Sequence, residues 1–91
     1  MDIEAMLVTM KEQLELWDAE GSIDIGDALL EKLEQGQRQD ERALRITLLV
    51  KRVNDMLKKG IDEGSDPDFH EGVRELKEAI RIWQEAPGQI P

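Results

Sequence analysis

The stretch 43–59, ALRITLLVKRVNDMLKK, most constrains the fold, because it is the most apolar part of the chain and also carries many of its basic residues. At about 100° per residue, its apolar side chains form one broad stripe, as expected of a helix that is buried on one side. We therefore predict a central helix over 40–59, and we expect the other segments to pack against it. The stripe comprises Ala43, Ile46, Leu49, Val50, Val53, Met56 and Leu57.

Leu44 and Leu48 lie off this stripe, on the opposite side of the helix, among polar residues. The simpler interpretation, which the sequence favours, is that another helix of the same chain covers them. The functional alternative is a seam for a second chain, with Leu44, Leu48, Arg45, Lys51 and Arg52 as the partner-binding residues. The basic side chains suit either interpretation, because their methylene stems can cover apolar surface while the charges stay in water.

Two further helices, over 2–18 and 67–85, are predicted from apolar residues spaced alternately four and three apart. This spacing is typical of a narrow, coiled-coil-like seam. Asp2 is the expected N-cap of the first helix, and Asp66 followed by Pro67 predicts the start of the last one. The two seams are Ile3, Leu7, Met10, Leu14 and Trp17, and Phe69, Val73, Leu76, Ile80 and Trp83. Their position in these seams predicts that Trp17 and Trp83 anchor the core, although tryptophan is also common at interface hot spots.

Glycines suggest the remaining boundaries. Gly21 and Ser22 predict the end of the first helix, so that 23–27 is a connection and a shorter helix follows over 25–35. Gly36 and Gly60 fit the left-handed position that follows many helices. The segment 34–42 contains no apolar residue and is predicted to be a turn, the alternative being one long helix that continues through Gly36.

These patterns predict an all-α fold: a small antiparallel bundle of three to four helices, forming a single domain over 1–91. The count is three if the second and central helices are fused. The terminal segment 86–91 is expected to fray, because Pro87 stops the helix before it.

Charge is distributed unevenly along the chain. The net charge is −9, made up of −8 over 1–36, +4 over 37–60 and −5 over 61–91. The simplest explanation is that acidic helices lie against a basic one within the bundle. The alternative is an acidic outer surface that imitates nucleic acid and competes with it for a basic partner. Direct nucleic-acid binding by 37–60 is not favoured, because the segment lacks aromatic residues for base stacking and its flanks are acidic.

Residues suited to catalysis or metal binding are few. The chain has no cysteine and a single histidine, His70, so an ordinary zinc site is not expected. Glu71, Glu75 and Glu78 share a helix face, which is best explained as a solvated surface. We therefore expect no catalytic residues, no metal and no cofactor.

Acidic residues near the start, and the absence of an apolar run of the roughly 20 residues that a membrane span needs, predict a cytoplasmic protein without membrane contact. The leading functional prediction is a non-enzymatic module for protein–protein interaction or assembly, of adaptor, chaperone or inhibitor type. It would act through the apolar seam at Leu44 and Leu48, with self-association as a two-fold homodimer. The alternative function is the acidic decoy that inhibits a nucleic-acid-binding protein.

Overall fold

The computed structural model describes residues 2–35 and 41–85, and these residues contain four helices and no strand. The helices are α1 (Ile3–Glu15), α2 (Ala19–Gln35), α3 (Glu41–Glu63) and α4 (Phe69–Gln84). The predicted all-α class and helical bundle are confirmed. The predicted turn at Gly36 and the fraying of 86–91 lie outside the described residues.

The four helices form an antiparallel up-and-down bundle. Among the described residues, the backbones of α1 and α3 each approach those of both α2 and α4, whereas the backbones of the diagonal pairs lie farther apart. The start of α2 lies against the end of α1, where the Ser22 hydroxyl donates to the Met10 carbonyl over 3.3 Å. The start of α3 lies against the end of α4, where the Arg42 guanidinium donates to the carbonyl of Trp83 over 2.9 Å. The alternative of a fused second and central helix is therefore wrong, because α2 and α3 are separate helices packed side by side.

The core is a continuous apolar layer between the helices. The stripe predicted on α3 is confirmed from Ile46 to Leu57: four of its side chains are buried, and Leu49 and Met56 pack against them. On α1 the middle of the predicted seam is buried, whereas on α4 the most buried positions are shifted to one side of it. The buried apolar residues are Met6, Leu7, Met10, Leu14, Leu29, Ile46, Val50, Val53, Leu57, Leu76, Ala79 and Ile82.

Helix α1 begins as predicted but ends earlier. Asp2 is its N-cap, and its carboxylate accepts a hydrogen bond from the Ala5 N–H over 2.7 Å. At the other end, the Trp17 N–H donates to the Leu14 carbonyl over 3.0 Å and the Asp18 N–H donates to the Gln13 carbonyl over 2.8 Å. This pair of bonds defines a Schellman motif, in which the residue after the cap adopts the left-handed conformation.

Helix α2 begins at Ala19, so the predicted end of a helix at Gly21 and Ser22 is wrong. Asp18 is its N-cap, because the Asp18 carboxylate accepts a hydrogen bond from the Gly21 N–H over 2.8 Å. Gly21 and Ser22 therefore lie inside α2, and the predicted connection at 23–27 is also helical.

Helix α3 continues through Gly60 and ends at Glu63, four residues later than predicted. Gly60 is buried, and a Cβ there would lie 3.0 Å from the Pro67 ring, so its small size allows the chain to fold back closely. Gly64, with a φ of 67°, holds the left-handed conformation that the sequence assigned to Gly60.

Helix α4 begins at Phe69, two residues later than the prediction based on Asp66 and Pro67. Asp68 is its N-cap, because the carboxylate accepts a hydrogen bond from the Glu71 N–H over 3.0 Å. Pro67 instead belongs to the loop that folds over Gly60. The result is a short loop whose acidic residues lie beside the turn between α1 and α2.

Candidate protein-binding surfaces

Leu44 and Leu48 form an exposed apolar surface on α3, which we name the α3 ridge. Their side chains are 57% and 67% exposed. The favoured interpretation, that another helix of the chain covers them, is therefore wrong for the part of the chain that the structure describes. The physical reason is that α2 and α4 already pack on either side of the buried stripe, which leaves the opposite face of α3 in water.

The basic residues predicted beside these leucines are all exposed, but they differ in their surroundings. Arg52 forms an ion pair with Glu75 of α4 at 3.1 Å. Arg45 lies on the same side, close enough to Glu78 to help lower the pKa of that carboxyl. Lys51 lies on the opposite side, facing α2. The α3 ridge is thus bordered by cations on both flanks.

A small hollow of about 120 Å³ lies next to the α3 ridge, between α2 and α3. We name it the α2–α3 hollow. Its lining combines partly buried leucines from α2 with polar side chains from α3. The lining residues are Leu30, Leu33, Glu34, Thr47 and Lys51. A ridge and an adjoining hollow together offer a shape that another helix could fit.

A second apolar surface lies at the end of the bundle where α1 passes into α2. Trp17 is 71% exposed and has a φ of 63°, so the prediction that it anchors the core is wrong. The seam spacing placed it inside, but α1 ends before it and the Schellman turn directs its side chain outward. Its indole instead contacts the Phe69 ring, with centroids 5.3 Å apart and planes inclined by 30°.

Trp83, at the other end of the bundle, is half-buried and packs against the core. The Arg42 guanidinium lies 4.6 Å from the centre of its ring.

Trp17 and Phe69 border an open groove of about 760 Å³, which we name the aromatic groove. Apolar side chains from α1, the α3–α4 loop and α4 form its floor, and charged side chains form its rim. His70 is exposed on this rim. The groove is lined by Leu14, Glu15, Trp17, Asp66, Pro67, Asp68, Phe69, His70, Val73, Arg74 and Lys77.

Electrostatically, this end of the bundle is acidic. The segments 15–20 and 62–68 meet here and contain seven exposed carboxylates and no basic residue. Only Glu15 is in an ion pair, with Lys11 at 2.9 Å, among the contacts within residues 2–35 and 41–85. The seven are Glu15, Asp18, Glu20, Asp62, Glu63, Asp66 and Asp68.

The carboxylate row on α4 is engaged in ion pairs. Arg74 binds Glu71 and lowers the pKa of that carboxyl, chiefly through the hydrogen bond between them. Arg81 binds Glu78 and lowers its pKa in the same way. Within the described residues, no group of three or more acidic or histidine side chains is arranged to hold a metal ion.

The interface between α2 and α3 contains a buried polar contact that the sequence analysis missed. The Asn54 side chain is 1% exposed, and its amide nitrogen donates to the Asp27 carboxylate over 2.9 Å. Lys58 also donates to that carboxylate, over 3.2 Å. A Cβ on Gly26 would lie 2.3 Å from the Asn54 amide oxygen, so glycine is needed where the amide meets α2. A lone asparagine beside the predicted apolar stripe is the sequence signal for this contact.

The structure keeps two candidate surfaces apart: the α3 ridge, predicted from the sequence, and the aromatic groove, which was not. The sequence signal for the groove is Asp18 followed by Glu20. A helix cap at Asp18 requires α1 to end before Trp17, which places Trp17 in a turn.

Within 2–35 and 41–85, none of the helices has the length and apolarity needed to cross a bilayer. Comparison of the chain with protein-family models, curated proteins and solved structures gave no match.

Proposed function

We propose that this protein is a non-enzymatic helical assembly module that self-associates as a two-fold dimer through the α3 ridge. The observation that carries the proposal is the exposure of Leu44 and Leu48, at 57% and 67%, in the N-terminal half of α3. Two adjacent large apolar side chains on an otherwise polar face are unfavourable in water unless another surface covers them. A second copy is the simplest cover, because two-fold homodimers are the commonest symmetric assemblies.

The order of residues along α3 supports an antiparallel pairing of two copies. With the two-fold axis between the leucines, Leu44 of one copy lies against Leu48 of the other. The same alignment sets Glu41 against Lys51, since each lies three residues outside the leucine pair. Opposite charges then meet at both edges of the contact, which fixes the orientation of the two helices more than it adds affinity.

The α2–α3 hollow supports the same partner. It lies beside the α3 ridge and is lined by Leu30, Leu33 and Thr47, so a side chain from the facing helix can enter it. Insertion of a side chain into a hole on the opposite helix is the packing mode of helical interfaces. Each copy then offers both a projecting ridge and a hollow, and the ridge of one copy can enter the hollow of the other, as a two-fold interface requires.

The test is light scattering on the wild type beside the Leu44→Glu, Leu48→Glu double variant at tens of micromolar protein. We expect a dimeric wild type and a folded, monomeric double variant with unchanged helical circular dichroism. Leu16→Glu is the matched control, because Leu16 is 73% exposed but lies away from α3, so this variant should remain dimeric. A monomeric wild type, or a double variant that unfolds, would contradict the proposal.

Charge exchange tests the antiparallel alignment. Glu41→Lys and Lys51→Glu should each weaken the dimer a few-fold, since exposed ion pairs contribute about 0.2–1 kcal/mol. The combined variant should recover most of the wild-type dissociation constant. Additive losses in the combined variant would show that these residues do not face each other.

The acidic-decoy alternative makes a different prediction about salt. Contact through the α3 ridge is mainly apolar, so the dimer should depend weakly on ionic strength. Inhibition of a nucleic-acid-binding protein through surface carboxylates should weaken steeply as salt is added.

A further inference from the structure

The conformation of Trp17 is unusual for a tryptophan. Its φ of 63° places it in the left-handed region, at the position of the Schellman motif where glycine is the common residue. Bulky residues adopt this conformation rarely, and such positions are concentrated at functional sites. The turn therefore presents a large aromatic side chain to solvent at a position where the backbone conformation favours glycine, which has no side chain.

The aromatic groove beside Trp17 is of the right size and chemistry to bind part of a peptide. Its volume of about 760 Å³ lies within the range of about 300–1,000 Å³ typical of ligand sites. Leu14 and Val73 supply an apolar floor, and the Trp17 and Phe69 rings supply a wall. A wall of this kind can stack on an apolar side chain or on a guanidinium group.

Charge selects the occupant of the groove. Three of the seven exposed carboxylates, Glu15, Asp66 and Asp68, line the groove, and the other four lie in the same two segments, 15–20 and 62–68. Within the described part of the chain, Glu20, Asp62, Glu63 and Asp66 form neither an ion pair nor a helix cap. The opposite wall, on α4, carries Arg74 and Lys77. A bound segment thus meets negative charge on one side and positive charge on the other.

We propose that the aromatic groove binds a basic peptide segment of another protein, with one apolar side chain of that segment anchored against Trp17 and Phe69. The basic residues of the segment extend over the carboxylates of 15–20 and 62–68, away from Arg74 and Lys77. The cationic wall sets the direction of the segment, because reversal would place like charges together.

A second copy of the chain fits this groove less well than a basic peptide. A two-fold contact centred on Trp17 would bring the acidic segments of both copies together. Like charges in a contact oppose association and exclude a partner. The surface is therefore distinct from the α3 ridge, and a dimer formed through α3 leaves it open.

The test uses the full chain and three synthetic peptides of equal length, observed through the two indole N–H signals in NMR spectra. The first peptide has arginines around a single phenylalanine, the second replaces arginine with glutamate, and the third replaces phenylalanine with serine. Trp83 is an internal control, because it lies at the opposite end of the bundle. We expect the first peptide to shift the Trp17 signal and not the Trp83 signal, with weaker binding at higher salt. The second should produce no shift, and the third should bind at least about tenfold more weakly.

Variants separate binding from folding. Trp17→Gly suits the left-handed backbone, so it should keep the fold and the dimer while weakening the first peptide at least about tenfold. Neutralisation by Glu63→Gln and Asp66→Asn should reduce both the affinity and its salt dependence. Leu44→Glu with Leu48→Glu should leave peptide binding unchanged.

The proposal is overturned if the glutamate peptide shifts Trp17 as strongly as the arginine peptide, or if Trp83 moves equally. It is also overturned if no peptide shifts Trp17 at millimolar concentration. The proposal is also overturned if the Trp17 signal shifts with protein concentration in the absence of any peptide, because the groove would then bind a second copy of the chain.

Discussion

The α3 ridge and the aromatic groove both expose apolar side chains, but in different structural settings. The ridge lies in the N-terminal half of a regular helix, is flanked by cations and needs only helical periodicity to place its two leucines on one face. The groove lies at the end of the bundle, has carboxylates on the Trp17 side and cations on the α4 side, and exists only because two chain reversals meet there. Trp17 reaches solvent because α1 ends at Glu15 and a Schellman turn follows.

The difference teaches that exposure has two origins in a small bundle. On α3, Leu44 and Leu48 are exposed because each helix has one face left over after packing against two neighbours. At the bundle end, Trp17 is exposed because the turn rotates it out of the seam to which its spacing assigns it. The first surface can be removed by changing side chains alone, whereas the second depends on the backbone.

The largest expected effect is a difference in stability between a core substitution and a ridge substitution on the same helix, α3. Leu57 is fully buried, so Leu57→Ala should lower the free energy of unfolding by about 2–5 kcal/mol. Leu48→Ala should change it by no more than about 0.5 kcal/mol when measured on the monomer. Urea denaturation at low protein concentration measures both. Comparable losses would mean that Leu48 is covered within one chain.

An intermediate effect tests the backbone origin of the groove. At Trp17, glycine should be more stable than alanine by about 1 kcal/mol, because only glycine adopts the left-handed conformation without strain. Leu16 is the matched control, since its φ of −90° suits alanine and the preference there should disappear or reverse. Thermal denaturation of the four variants measures the difference. Equal stability of the two Trp17 variants would show that the turn is not left-handed.

A smaller effect tests where α4, which forms one wall of the groove, begins. Asp68→Ala should destabilise the fold by about 1 kcal/mol, because it removes the cap from the Glu71 N–H. Asp66→Ala should be close to neutral, although the sequence pattern favours Asp66 as the cap. A larger loss at Asp66, measured by the same unfolding experiments, would move the start of α4 to the predicted position.

Much of the fold was predictable because it depends on local periodicity. The α3 stripe, the Asp2 cap and the antiparallel bundle follow from apolar spacing and short connections. Gly21, Ser22 and Gly60 misled the prediction because glycine and serine break isolated helices, whereas here tertiary contacts hold them inside helices. The Ser22 hydroxyl is buried against Met10, and Gly60 is the point where Pro67 folds back.

The two candidate surfaces differ in predictability for the same reason. Leu44 and Leu48 were identified from helical geometry, although the favoured explanation, an internal neighbour, was wrong. The aromatic groove was missed because its walls come from segments about fifty residues apart in the sequence. No periodic pattern within α1 or α4 brings Trp17 next to Phe69.

The Asn54 amide fixes the position of α2 relative to α3, and with it the shape of the α2–α3 hollow. Apolar helix faces tolerate sliding by one turn, because one leucine replaces another. A buried amide bonded to Asp27 does not, since a slip would leave it without its acceptor and would press it against a residue larger than Gly26. We therefore expect this single hydrogen bond to hold α2 and α3 at one longitudinal position. The distances from Leu30 and Leu33 to the α3 ridge should then be the same in every molecule, so the α2–α3 hollow has one fixed shape.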